Sequence, residues 1–335
     1  MANAKDSTSE FTTPDSLFQT IFAFQKPRIL LTAFELGLFS ALGDESKSSA
    51  EAAKALGAAE RATDRLMNAL CAMGLLTKHN GRFANGPLAA RFLVKGKPEY
   101  LAGLGHGVNL WQSWSTMTEA VRRGTSVISR EPVERGAEWL TSFIAAMHTR
   151  AVRMADGVVA LLDLSGVSRV LDVGAGSGAY CTAFVRADKR IRATAFDLPH
   201  VIPLTQQYVH QVGVRNNVDF VGGDCNADSL GSGFDLIFLS ALIHSNSFEE
   251  NQTLLRKCTD SLNPNGQVVI QDFIMDEDRT TPAFGAFFAL NMLVGTEAGD
   301  TYTESEVRRW MEEASLLRIE RKDTLFDTTL MVGRK

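Results

Sequence analysis

The stretch VLDVGAGSGAY, residues 170–180, constrains the fold more than any other part of the chain. A short apolar run ending in Asp172 and Val173 leads into glycines at alternate positions, Gly174, Gly176 and Gly178, and then into a helix-like segment. The pattern reads as strand, tight turn, helix. Glycine serves there because the turn requires φ angles that a Cβ penalises, and because a ligand must approach the backbone closely. The ligand class is a nucleotide or nucleoside. No Lys-Ser/Thr pair completes a phosphate-binding P-loop, which disfavours a nucleoside triphosphate and leaves a dinucleotide or S-adenosylmethionine.

The rest of the C-terminal half continues the alternation. SRVLDVG, RATAFDLP, VDFVGGD, FDLIFLSALI and GQVVIQDFI are apolar runs of strand length separated by helical stretches such as ENQTLLRKCTDSL. Alternating strands and helices imply an α/β fold with a doubly wound, mostly parallel sheet. LRIERKDT and TTLMVGRK follow with no room for a helix between them, so a terminal antiparallel hairpin closes the sheet. Ligands of such sheets bind at the carboxyl ends of the strands. Those ends carry the glycine loop, then Asp197, then Gly223-Asp224, then Ser240 running on to His244, and finally Asp272. A carboxylate at Asp197 can accept hydrogen bonds from both hydroxyls of a ribose, and one at Asp224 can accept from an adenine amino group.

The N-terminal part reads differently. The first fifteen or so residues are polar and are expected to be disordered. From Leu17 to Leu42 the pattern is helical and apolar around most of its circumference, which suits burial in a partner subunit. Two short helices follow, separated by Gly57 and closed by Gly74. Ser48 or Ser49 caps the first, and Leu66, Leu70 and Met73 form the apolar face of the second. Asn80-Gly81 is a type I′ turn signal between two short strands. Helix, helix, hairpin is a winged helix. Residues 1–100 carry 12 Lys+Arg against 10 Asp+Glu, and the second helix mixes Arg61 and Arg65 with Glu60 and Asp64. Contact with a phosphate backbone needs clustered cations, so dimerisation is the favoured role over nucleic-acid binding. Residues 101–160 read as connecting helices, with Trp111, Trp114 and Met117 on one helical face and a long apolar helix leading into the first strand. The domains are therefore 1–100, 101–160 and 161–335.

A net charge of -5 argues against a strongly basic nucleic-acid binder. No apolar run reaches the roughly 18 residues of a membrane span, and the polar start lacks a signal-peptide core, so a cytoplasmic location without membrane contact is expected. Cys71, Cys181, Cys225 and Cys258 are scattered, suggesting neither a disulfide framework nor a zinc site. No metal is expected.

LDVGAGSG, FDLP, GGD and DLIFLSALIH occur here in one order, behind AFELGLFSAL in the N-terminal region. In that combination the chain resembles the small-molecule, S-adenosylmethionine-dependent O-methyltransferases, the group of the plant phenolic and acetylserotonin enzymes and their bacterial antibiotic-pathway relatives. The resemblance covers nearly the whole length. It implies a Rossmann-like methyltransferase sheet behind a helical, winged-helix dimerisation domain, S-adenosyl-L-methionine as cofactor, a homodimer, and a small, flat, aromatic hydroxyl substrate. It also implies roles. Asp172, Gly174, Gly176 and Gly178 lie against the methionine part and ribose; Asp197 and Leu198 form the ribose step; Gly223, Asp224 and Cys225 form the adenine step; Ser240 completes the cofactor site. His244 falls on the general base and Asp272 on an acidic residue beside it. Met147, His148, Asn291 and Met292 fall at the substrate, with Phe284, Phe287, Phe288 and Trp111 as further apolar lining.

Three positions depart from the family pattern. Ser245-Asn246 follow the histidine where Asp-Trp is usual, Ser240 stands where plant members carry a lysine, and Thr301 replaces a second acidic neighbour of the histidine. Asp272 is left as the carboxylate to orient the imidazole. Two other readings fit the same residues: an enzyme that keeps the cofactor as an electrostatic prop for decarboxylation or hydroxylation, and a winged-helix regulator that senses a nucleoside.

Overall fold

The computed structural model of the protein describes residues 11–128 and 136–335. The chain divides into two compact units, one ending at Val108 and the other running from Asn109 to Lys335.

In the first unit, the segment from Leu17 to Leu42 becomes three helices, α1 (Pro14–Phe22), α2 (Gln25–Glu35) and α3 (Leu38–Leu42). Helix α1 starts ahead of Leu17, because Thr13 and Ser16 form a reciprocal capping box and Pro14 is pre-set for the first turn. This corrects the expected disorder at the end of the polar start; residues 1–10 lie outside the described residues. A second capping box, Ser48 with Glu51, opens α4 (Ser49–Leu56), which ends at Gly57 with φ 62°. Helix α5 (Glu60–Ala72) buries Thr63, Met67 and Leu70, the i, i+4, i+7 stripe, rather than the expected face through Leu66 and Met73. The hairpin β1 (Leu76–His79) and β2 (Arg82–Asn85) turns through Asn80 and Gly81, both at positive φ, as a type I′ turn requires. Helix α6 (Pro87–Phe92) follows. Leu38, Phe39, Leu42, Met67, Leu70 and Phe83 are fully buried together, each contributing roughly 1.5–3 kcal/mol by leaving water. By contrast, Leu17, Phe18, Ile21 and Phe22 on α1 are each more than half exposed.

The chain continues through α7 (Leu104–Trp114) and α8 (Met117–Arg123). Trp111, Trp114 and Met117 therefore do not share one helix. The hydroxyls of Ser115 and Thr116 donate back to the carbonyls of Trp111 and Ser113, each at 2.7 Å, and such back-bonding marks the break. The long helix α9 (Ala137–Val159) leads into β3 (Arg169–Val173), α10 (Ala179–Ala187), β4 (Arg192–Asp197), α11 (Ile202–Gln211), β5 (Val218–Gly222) and β6 (Phe234–Ser240). Then come α12 (Phe248–Ser261), β7 (Leu262–Asp272), α13 (Ala283–Gly295), α14 (Glu304–Glu313), β8 (Leu317–Asp323) and β9 (Thr329–Arg334).

The strands form one sheet in the order β5-β4-β3-β6-β7-β9-β8. The first five are parallel, and β9 runs antiparallel to both β7 and β8. Both faces are covered. Leu236 and Phe238 pack with Val158 and Phe184 on one side, while Ile237 and Leu239 pack with Leu254 and Trp310 on the other. Burial on both faces explains why these strands read as continuous apolar runs. Crossovers leave β3 in one direction and β6 in the other, so the loops after these neighbouring strands part over a crevice, the topological switch point.

Candidate active site

The glycine loop lies at that crevice. Gly174, Gly176 and Gly178 have φ angles of 72°, 54° and 71°, the left-handed region that disfavours other residues. They differ in what a side chain would meet. A Cβ on Gly178 would fall 2.7 Å from Val209 and one on Gly174 3.1 Å from Leu242, whereas one on Gly176 meets nothing within 4 Å. Gly176 is thus the point where backbone faces open space. The loop is fixed from α11, whose Thr205 hydroxyl donates to the Gly176 carbonyl at 2.6 Å. It is fixed from β4 as well: Asp197 accepts the Gly176 N–H and the Leu198 N–H, each at 2.7 Å, on its two oxygens. Burial raises the Asp197 carboxyl above its ordinary value, and these two N–H groups oppose that.

Asp172, the last inward carboxylate before the loop, is fully buried and bonded by the Cys181 thiol at 3.4 Å. Burial pushes its carboxyl up to about 7, against the thiol bond and with help from the charge of Asp197. At the end of β5, a Cβ on Gly223 would strike the Phe196 ring at 2.7 Å. Asp224 is exposed; one of its oxygens accepts the Asn226 N–H at 2.8 Å. Cys225 is half-buried, and burial pushes its thiol up to about 11. Residues 174–178 carry no cation, and Asp172, Asp197 and Asp224 crowd the strand ends with carboxylates. That environment suits a ligand with a positive sulfonium and ammonium. The residues present fit S-adenosylmethionine.

His244 sits in a short 3₁₀ turn after β6, 8% exposed. Its Nδ1 lies 2.8 and 3.0 Å from the two oxygens of Asp272, which also accepts the Phe273 N–H at 2.9 Å. A carboxylate accepts at Nδ1, so in the neutral imidazole that this pairing orients, Nδ1 carries the proton and Nε2 the lone pair. The turn itself is held by Asn251, whose amide donates to the Ile243 carbonyl at 2.8 Å. Asn246 donates to Asn251 and accepts from Asn226, and Tyr302 donates to the Asn246 carbonyl at 2.5 Å. Polar groups thus fill the place of the usual Asp-Trp. The loop at Gly299 presses so closely that any Cβ there would collide with the His244 carbonyl. Thr301 is buried, and its hydroxyl turns to the Gly285 carbonyl at 3.3 Å instead of the imidazole. Phe288 meets the His244 ring edge to face at 4.8 Å, and Phe273 contacts both Phe288 and Phe284.

The other candidate residues are distributed as follows. His148 on α9 bonds Ser177 in the glycine loop through Nδ1 at 2.9 Å and stacks on Tyr208 at 4.1 Å; burial holds its imidazole below the ordinary value. Met147 beside it is half-buried. Asn291 accepts the Trp114 indole N–H at 2.9 Å, and Met292 is 7% exposed. The Ser240 hydroxyl donates to Gln271 on the next strand at 3.0 Å. Sequence reading missed Thr205, Ser177 and Asn251. Thr205 and Val209 were legible in principle, being one turn apart on the helix that follows Asp197; the others are long-range contacts with no local pattern.

Residues 120–316 match the family model of the O-methyltransferase domain, and residues 18–95 match that of the O-methyltransferase dimerisation domain. The chain belongs to the O-methyltransferase family. This enzyme is 34% identical over 296 residues to 3-hydroxy-5-methyl-1-naphthoate 3-O-methyltransferase of Streptomyces sahachiroi, across 86% of this chain and 85% of that one. It is 29% identical over 329 residues to the tetracenomycin polyketide synthesis 8-O-methyl transferase TcmO of Streptomyces glaucescens, across 96% and 97%. Among solved structures, PigF with SAH superposes with a TM-score of 0.86 at 26% identity, covering 96% of this chain and all of that one. The enzyme is an S-adenosylmethionine-dependent O-methyltransferase. Among the described residues, no helix is long and apolar enough to cross a membrane.

Proposed function

We propose that the enzyme methylates a hydroxyl on a small fused-ring aromatic substrate, with His244 as general base and Asp272 as the group that orients it. The observation that carries the reading is the buried Nδ1–carboxylate contact at 2.8 Å. It fixes both the ring plane and the tautomer, leaving Nε2 ready to accept a proton from the substrate hydroxyl. A positioned base of this kind contributes roughly 10²- to 10⁴-fold. When bound, S-adenosylmethionine supplies an electrophilic methyl group. The chain's own work is then to hold the hydroxyl in line, exclude water and take its proton, and positioning alone offsets several kcal/mol of the barrier.

Cofactor roles follow the strand ends. Asp172 and the glycine loop hold the methionine part, Asp197 and Leu198 the ribose, and Gly223, Asp224 and Cys225 the adenine, with Ser240 at the inner edge. Met147, His148, Asn291 and Met292 belong to the substrate side. The named relatives are a naphthoate O-methyltransferase and an O-methyl transferase of tetracenomycin polyketide synthesis, and the Phe273, Phe284 and Phe288 rings offer flat apolar surface beside the imidazole. Both support a fused aromatic. The exposed apolar side chains of α1, whose last turns open the matched dimerisation domain, support a homodimer as the working form. The test is a panel of mono- and polycyclic phenols incubated with methyl-labelled cofactor. Label transfer to fused-ring phenols is expected; transfer to none of the hydroxyl compounds, with the cofactor bound, refutes the reading.

A further inference from the structure

One cation beside the phenylalanine cluster is used by neither the motifs nor the proposed mechanism. Arg150 lies on α9, three residues and hence about one helical turn beyond Met147, so the two share a face. Its guanidinium carbon stands 4.6 Å from the centre of the Phe273 ring and 6.0 Å from that of Phe284. Phe273 directly follows Asp272 in the chain and, through Phe288, belongs to the ring cluster that contacts the imidazole. Arg150 is half-buried. Among the described residues it has no carboxylate within ion-pair distance and donates no hydrogen bond, although it feels the charges of Asp272 and Asp327 from further away. Burial disfavours its charge enough to lower its pKa. A second polar group lies here. The Tyr180 hydroxyl is buried, interacts electrostatically with Arg150, and reaches no partner in good hydrogen-bond geometry despite lying beside Ser240 and Gln271.

A half-buried cation without an anionic partner is costly, and its five N–H donors are laid out to match a planar oxyanion. Stacking on Phe273 accounts for the guanidinium face but satisfies none of the N–H edges. Those edges are left for a ligand.

Resting on the reading of an aromatic hydroxyl substrate, we infer that Arg150 is a specificity-determining residue that pairs with an ionised carboxylate carried on the substrate ring, with the Tyr180 hydroxyl as a second donor. The substrate class becomes hydroxyarene carboxylic acids in place of neutral phenols. The carboxylate would replace the water lost from the guanidinium, and its ring would lie against the phenylalanine cluster that leads to His244.

The experiment compares hydroxynaphthoic acids, with the carboxylate at several ring positions, against their own carboxamides, which keep the shape without the charge. Full-length wild-type enzyme, Arg150→Met and Arg150→Lys are assayed for kcat and KM, and acid binding is followed separately by ligand fluorescence. At least one acid is expected to exceed its amide more than tenfold in kcat/KM, chiefly through KM. Arg150→Met should bring that ratio close to one, and Arg150→Lys should restore part of it. Equal use of acids and amides by the wild type overturns the inference, a comparison that needs no variant to fold. So does an Arg150→Met enzyme that loses kcat equally on both series, because Arg150 would then act through Asp272. If acids bind in an Arg150-dependent way but no hydroxyl is methylated, the carboxylate site stands and the proposed function fails. If phenols and amides are methylated while acids are not preferred, the function stands and the Arg150 site fails.

Discussion

Replacing Asp197 by Asn tests whether this carboxylate holds the cofactor or only supports the glycine loop. The carboxylate accepts two backbone N–H groups at 2.7 Å, one from Gly176 at the open point of the glycine loop and one from Leu198. Asparagine keeps one carbonyl oxygen and turns an NH₂ toward the other donor, so one charge-assisted bond becomes a donor–donor contact and the remaining one loses its charge. If the site holds the ribose, each charge-assisted bond that Asp197 accepts from a ribose hydroxyl contributes about 1.5–3 kcal/mol, so losing one corresponds to an affinity loss of about 10- to 150-fold. Fold stability should suffer less. Burial already raises the Asp197 carboxyl, so removing its charge relieves a desolvation cost that offsets part of the lost bonding. Calorimetric titration with S-adenosylhomocysteine, alongside thermal unfolding, reads both quantities. An affinity within threefold of wild type would refute the ribose assignment, and a fall in melting temperature with unchanged affinity would reduce Asp197 to a loop support.

Asp172 predicts a pH dependence. Its folded-state carboxyl is raised to about 7 from an ordinary 3.8, so the free enzyme holds a proton there that the unfolded chain releases, and this group costs stability as pH rises from about 4 to 7. A cationic ligand beside it favours the ionised form; cofactor affinity should therefore increase as pH rises through about 7, with proton release detectable by titration in buffers of different ionisation enthalpy. Asp172→Asn should flatten that dependence, and a flat wild-type profile contradicts it. The exposed α1 face predicts a dimer: light scattering should give twice the 36.5 kDa chain mass, with Phe18→Glu combined with Ile21→Glu yielding monomer or aggregate. A monodisperse wild-type monomer excludes it.

Much of this was readable in the sequence, for physical reasons. The parallel strands are buried on both faces, so VLDV and LIFLS announce themselves as uninterrupted apolar runs. The glycines at 174, 176 and 178 signal a backbone in the left-handed region, and all three adopt it. The cap at Ser48 is local, and the Asn80-Gly81 turn is local too. What was not readable depends on contacts between distant segments. Nothing near residue 114 in the chain shows that its indole binds Asn291, and the break after Trp114 arises from hydroxyl back-bonding that periodicity does not see. Arg150 looked like one polar residue on a long apolar helix; only the fold places it over Phe273. Asn246 stood in the sequence as a departure, whereas in three dimensions it joins Asn226, Asn251 and Tyr302 in holding the turn of His244.

The most direct test of His244 as general base is single-turnover and steady-state kinetics of His244→Gln, with cofactor affinity measured on the same preparation. A base acts in the transition state and not on the bound nucleoside, so kcat should fall by about 10² or more while cofactor affinity stays within about threefold. Asp272→Asn should lose less, by loosening the imidazole that it bonds at 2.8 Å. A His244→Gln enzyme within a few-fold of wild type, with rates that follow the substrate's own acidity across a series of phenols, would contradict the account and leave His244 a packing residue in a methyltransferase whose substrate ionises unaided.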